Sequence, residues 1–115
     1  MKVVPPLFVL SDDLCSFASV DVMVKYIEPI DATDIRVAFD SEGRRLHLAT
    51  EDVKTTGRWI GGGRIWLESV GPESDSESLD TMLREYLGHR YTNEALASLD
   101  HAALVDAAAR EFDTR

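Results

Sequence analysis

The side chains in this sequence that could do chemistry are three histidines, one cysteine and a surplus of carboxylates. His47, His89 and His101 stand far apart, and none falls in an HExxH or HxH spacing with another ligand type, so the sequence predicts no metal site. His47 lies on the polar face of a strand between Arg45 and Ala49. His89 follows a helix end, where a cation is mildly favoured, and His101 opens the last helix. Each reads as a surface residue and not as a general base. Cys15 sits in an apolar strand without a Lys, Arg or His beside it, and there a thiol behaves as a small hydrophobe. Ser11, Ser16, Ser19, Ser41 and Ser69 lack the GxSxG elbow of a nucleophilic serine. Gly61-Gly62-Gly63-Arg64 lacks the Lys-Ser/Thr of a phosphate loop and runs into strand-like Ile65-Trp66-Leu67, so it reads as a turn or bulge. No catalytic residue and no cofactor are expected.

The carboxylates are the remaining signal. Glu73, Asp75, Glu77 and Asp80 gather at the start of a predicted helix, and no Lys or Arg occurs from Gly71 to Leu83. Two readings stand: helix capping with dipole complementarity, or a negative patch for a cationic partner. The candidate partner-binding residues are therefore Glu73, Asp75, Glu77 and Asp80, with the turn pair Asp12 and Asp13 as a second candidate. Trp59 and Trp66 flank the glycines and serve equally as interface anchors or as core.

The elements that position these residues follow from apolar periodicity. Leu7 to Leu10 and Leu14 to Phe17 read as strands around the turn Ser11-Asp12-Asp13. Ser19 caps a short helix over 20–28 whose apolar face is Val20, Met23, Val24 and Ile27, and Pro29 stops it. Ile35, Val37 and Phe39 alternate with polar residues. Ser41-Glu42-Gly43 turns the chain, and Arg45, His47 and Ala49 alternate with Leu46, Leu48 and Thr50. Residues 51–57 read as a loop, 65–70 as a third antiparallel strand, and 71–78 as a connector with the capping box Ser74-x-x-Glu77. Leu79, Met82, Leu83, Tyr86 and Leu87 share one helical face, with Gly88 as a left-handed cap. Thr92 or Asn93 caps a short turn through Ala97. Ser98 caps a final helix with Leu104, Val105, Ala108 and Phe112 on its apolar face. The prediction is a single α+β domain over 1–115, order ββ-α-βββ-α-α, with a small antiparallel or mixed sheet and helices packed on one side.

At 115 residues, 44% hydrophobic and 29% charged, the chain is long enough for one core and too apolar for wholesale disorder. One cysteine excludes an intramolecular disulfide scaffold. The short apolar run near the start is neither a secretory leader nor a membrane span, so a cytoplasmic protein is expected. The net charge of −9 repels nucleic acid and anionic membranes and attracts a basic protein.

Asp13-Leu14 through Phe17, Tyr26-x-Glu28-Pro29-x-Asp31 and Asp40-x-Glu42-Gly43-Arg44-x-Leu46 resemble stretches of small bacterial proteins. In size, charge and style the whole chain resembles the immunity proteins that neutralise bacterial toxins, including those of contact-dependent growth inhibition systems. That resemblance carries over no site residue by residue. It implies a non-catalytic α+β protein that binds a cognate toxin, a basic nuclease among the candidates, and inhibits it by electrostatic complementarity. The alternative is another interaction or structural module, such as a homo-oligomer subunit, and a small enzyme comes third.

Overall fold

The computed structural model describes residues 2–27, 35–51, 54–55, 58–59 and 64–112. Its elements are β1 (Leu7–Leu10), β2 (Leu14–Phe17), α1 (Val20–Tyr26), β3 (Val37–Phe39), β4 (Arg44–Glu51), β5 (Lys54–Thr55), β6 (Arg58–Trp59), β7 (Arg64–Ser74), α2 (Ser76–Leu87), α3 (Asn93–Ala97) and α4 (His101–Glu111). Five strands form an antiparallel sheet in the order β2-β1-β3-β4-β7, and β5 and β6 form a separate two-stranded ladder. The α+β class and the central β3–β4–β7 meander are those predicted.

The helices do not all pack on one side. The strand β1 is apolar at every position, and successive side chains alternate between faces. Phe8 joins Leu14 and Phe39 in a core sealed by Leu79, Leu83 and Leu87 of α2, Leu96 of α3 and Leu104 and Ala108 of α4. Leu7 and Val9 join Phe17, Ala38 and Leu46 in a second core on the opposite face, closed by Met23 and Ile27 at α1. A strand apolar on both faces needs cover on both, and α1 supplies the second layer.

Several boundaries also differ from expectation. Ser19 caps α1 as predicted, accepting a hydrogen bond from the Val22 N–H, but the helix ends at Tyr26, and Pro29 lies outside the described residues. The stretch 51–57 is not all loop, because Lys54 and Thr55 pair with Trp59 and Arg58. The glycines 61–63 lie outside the described residues. Strand β7 continues to Ser74 through part of the predicted connector; Pro72 is tolerated there because β7 is an edge strand among the described residues. The N-cap of α2 is Asp75, not Ser74, and that of α4 is Asp100, not Ser98. Both positions suit a carboxylate, which accepts the orphan N–H and complements the helix dipole. Thr92 caps a true short helix, α3. Gly88 has right-handed angles (φ −58°), so its position does not require glycine for a left-handed cap.

Candidate functional site

The β3–β4 turn organises the end of the molecule where the predicted acidic residues lie. Asp40 is fully buried. Its Oδ1 accepts from the Glu42 N–H at 3.0 Å and the Arg44 N–H at 2.9 Å, and its Oδ2 accepts from the Val4 N–H at 3.3 Å. These bonds satisfy a carboxylate that burial would otherwise penalise. Gly43 closes the turn at φ +83°, and its carbonyl accepts from the Asp75 N–H at 2.9 Å. The Ser74 hydroxyl donates to the Glu42 carbonyl. The end of β7 and the start of α2 are thus seated on the turn.

The four acids of the first candidate set have different roles. Asp75 Oδ1 accepts from the Ser78 N–H at 3.1 Å, and its Oδ2 lies 3.9 Å from Arg45 Nη2. Hydrogen bonding from Ser78, with a smaller contribution from the Arg45 charge, holds this carboxyl below its usual value. Asp80 is bound to His101: Nδ1 lies 2.5 Å from Asp80 Oδ1, and Nε2 lies 2.7 Å from the Ser41 carbonyl oxygen. A carbonyl and a carboxylate both accept, so the site favours the protonated imidazole, in which both ring nitrogens donate. Partial burial lowers its pKa, but the Asp80 and Ser41 bonds outweigh it and raise the value above 6.5. His101 is therefore no simple surface residue. It ties α4, α2 and the β3–β4 turn together, and neither nitrogen is left to serve a substrate as a base. The other two acids, Glu73 and Glu77, are exposed.

Glu77 edges a groove of about 490 Å³ between α2 and the sheet. Leu10, Val37, Phe39 and Met82 supply its apolar lining, and Glu85 stands on the same edge. Glu77, Thr81 and Glu85 succeed one another every four residues, so they share one face of α2. The Arg45 guanidinium lies 5.3 Å from the Phe39 ring centre and is tied to Asp75, so one cation is built into the groove wall. The sequence reading missed Glu85; its spacing of two turns from Glu77 was the available signal.

Asp12 and Asp13 are exposed but lie elsewhere. They border hollows lined by Cys15 and Tyr26, one of which also takes in Tyr86, His89 and Phe112 near the end of α2. A twelve-residue helix spans about 18 Å, so the structure does not bring the two candidate sets together. His47 and His89 are exposed. Cys15 is half-buried beside the second core. Trp66 is 40% exposed. Among the described residues no three His, Cys, Asp or Glu side chains gather closely enough to hold a metal ion, and no helix is long and apolar enough to cross a membrane. No family model, no curated protein and no solved structure matches the chain.

Proposed function

We propose that this chain is a non-catalytic binding protein that holds a basic protein, and that its role is that of an immunity protein neutralising a cognate toxin. The observation that carries the reading is the groove along α2, where an apolar floor lies beside Glu77 and Glu85. A lysine or arginine of a partner would lay its aliphatic stem on Leu10, Val37 and Met82 and bring its charge to those carboxylates. Glu73, exposed at the end of β7, extends the negative field, and the net charge of −9 steers a cationic partner over longer range. Asp75 and Asp80 serve the fold, each beside a basic side chain of the chain itself, Arg45 and His101. A nuclease that grips phosphate presents the complementary surface, and an inhibitor that covers it needs only shape and charge.

The test is affinity capture from native cells with the wild-type chain and with E73K/E77K/E85K. A stoichiometric basic protein should be retained by the wild type, released by salt and lost with the triple reversal. Expression of the captured protein alone should arrest growth, and co-expression of the wild-type chain should relieve the arrest. Retention that is indifferent to both salt and the triple reversal would remove the electrostatic reading. A captured protein that is harmless when expressed alone would remove the immunity reading.

A further inference from the structure

The sheet opens in its middle. Strand β3 pairs with β1 at Val37, Ala38 and Phe39, and β4 pairs with β7 from Arg44 to Glu51, yet β3 and β4 meet at the single pair Phe39↔Arg45. The β4–β7 ladder shifts register between Arg44 and Leu46 and again between His47 and Leu48. Such irregularities bend and twist the strands that carry them, and here they fall on the part of β4 that leaves β3. Between the diverging strands lies a cavity of about 310 Å³, at the lower end of the range for sites of small organic ligands.

The walls of this slot are apolar and its mouth is basic. Ile35 and Val37 stand on the β3 side, Leu46 and Leu48 on the β4 side. Arg36, Arg45 and His47 line the same cavity, with Glu68 of β7 as the acid among them. Arg36 is set apart from the other arginines whose side chains are described. Arg44 and Arg45 lie against Asp40, Glu42 and Asp75, Arg90 and Arg110 against Glu111 and Asp106, and Arg84 donates to the Leu99 carbonyl. The exposed side chains of Arg36 and His47 have no hydrogen bond or ion pair among the described residues. An uncommitted guanidinium and imidazole at the mouth of an apolar slot match a carboxylate on an aliphatic chain. The net charge of −9 repels a polyanion, so a ligand with one negative charge fits best.

We propose that the slot between β3 and β4 binds a small organic acid. Arg36 and His47 donate to its carboxylate, and its aliphatic chain lies between Ile35 and Val37 on one side and Leu46 and Leu48 on the other. The slot adjoins the α2 groove through Val37 and Arg45, but the proposal does not depend on the function proposed above.

Titration of the full chain with valerate, followed by two-dimensional NMR, should give saturable shifts centred on the amides of residues 36–38 and 46–48. With so few ligand atoms, a dissociation constant on the order of 1 mM is expected. Acetate keeps the charge but lacks three methylenes, and should bind about tenfold more weakly or worse. Pentylamine, of the same length and opposite charge, should leave these amides unmoved. Arg36 is exposed and has no side-chain partner among the described residues, so Arg36→Gln should keep the fold and weaken valerate about fivefold or more. Glu68→Gln removes a like charge from the cavity and should strengthen binding about twofold. Shifts that do not saturate by ~50 mM, or that centre away from the slot, overturn the proposal. So does acetate or pentylamine binding as well as valerate, valerate binding that survives Arg36→Gln, or weaker binding to Glu68→Gln. An unmoved slot in a chain whose capture of a basic protein is nevertheless weakened by Arg36→Gln also overturns it, and gives the cavity to an acidic side chain of that protein.

Discussion

Replacing Gly43 by alanine tests the contact on which the acidic end of the molecule is built. Its φ of +83° costs an L-residue with a β-carbon about 1–2 kcal/mol, partly offset by about 0.5 kcal/mol because alanine has less freedom to lose on folding. The larger effect is steric. A β-carbon at Gly43 would stand 2.6 Å from the Asp75 carbonyl carbon and 2.6 Å from the Ser76 nitrogen, and both are backbone atoms. Contacts between such atoms are favourable only near ~3.5–4.0 Å, so the turn and the start of α2 must separate by most of an ångström. Separation loosens the Asp75 N–H bond to the Gly43 carbonyl, a net loss of about 0.5–1.5 kcal/mol, and disturbs the His101–Ser41 contact. Together these effects predict a destabilisation of about 1–3 kcal/mol, which in a domain of this size lowers the melting temperature by roughly 4–12 °C. Thermal and urea unfolding followed by circular dichroism would measure it. Gly43→Asn relieves the φ strain without relieving the contact, so it should melt close to Gly43→Ala. Gly71→Ala is the control: its β-carbon would come no nearer than 3.4 Å to a neighbour, the Arg45 carbonyl oxygen, and the change should stay within about 0.5 kcal/mol. Gly43→Ala melting within ~2 °C of the wild type would refute the close seating of α2 on the turn.

His101→Gln should destabilise the protein more at pH 5.5 than at pH 8.5. The folded-state pKa is raised, so the stabilisation is fully present below about 6.5 and is lost as pH rises through the folded value; a gap between the two urea curves that does not change with pH would refute a charged His101. Asp75→Ala should lower the melting temperature by a few degrees at neutral pH, because the Ser78 N–H loses its acceptor. The folded Asp75 carboxyl titrates below 3.8, so its contribution fades as pH falls through that lower value, and a deficit that persists unchanged in strong acid would remove the capping role. Leu83→Ala, at a fully buried position of α2, should cost about 2–5 kcal/mol by thermal unfolding, and a change under ~1 kcal/mol would remove Leu83 from the core. Glu77→Lys with Glu85→Lys should leave the melting temperature nearly unchanged while slowing association with a basic partner and weakening its salt dependence. An unchanged association rate measured by stopped flow would separate the groove from the binding surface.

The legible parts of the fold were those written in local periodicity. The β1–β2 and β3–β4 hairpins, the Ser19 cap and the apolar face of α2 follow from spacing and turn chemistry alone. Placement of the helices was not legible in the same way. The run Leu7–Leu10 reads as a buried strand, yet helices were expected on one side only, and the three-dimensional path shows α1 covering one face while α2 and α4 share the other. The cap of α2 was misassigned because Ser74 and Asp75 are adjacent, and the path of β7, fixed by its ladder with β4, decides which one ends at the helix entrance. The partner of Asp80 was illegible because His101 comes from a helix twenty-one positions further on and is brought in by the packing of α4 on α2.

The acidic set shows why local charge density overcounts a binding surface. Four carboxylates within eight residues suggested one patch, yet their environments divide them. Asp75 accepts the helix's own N–H, and Asp80 neutralises an imidazolium that braces three elements. Asp75 keeps its charge in the native state because the Ser78 donor favours the ionised form. The oxygens of both are committed to bonds within the chain, beside Arg45 and His101. Exposed Glu73 and Glu77 remain, and the periodicity of α2 adds Glu85 from outside the dense stretch. The same turn that buries Asp40 fixes where α2 begins and thereby where Glu77 and Glu85 stand over Phe39 and Val37. The position of the groove therefore depends on Gly43 and His101, neither of which lines it. A substitution at either should impair partner binding through displacement of α2, and a stabilising change elsewhere should not rescue that loss.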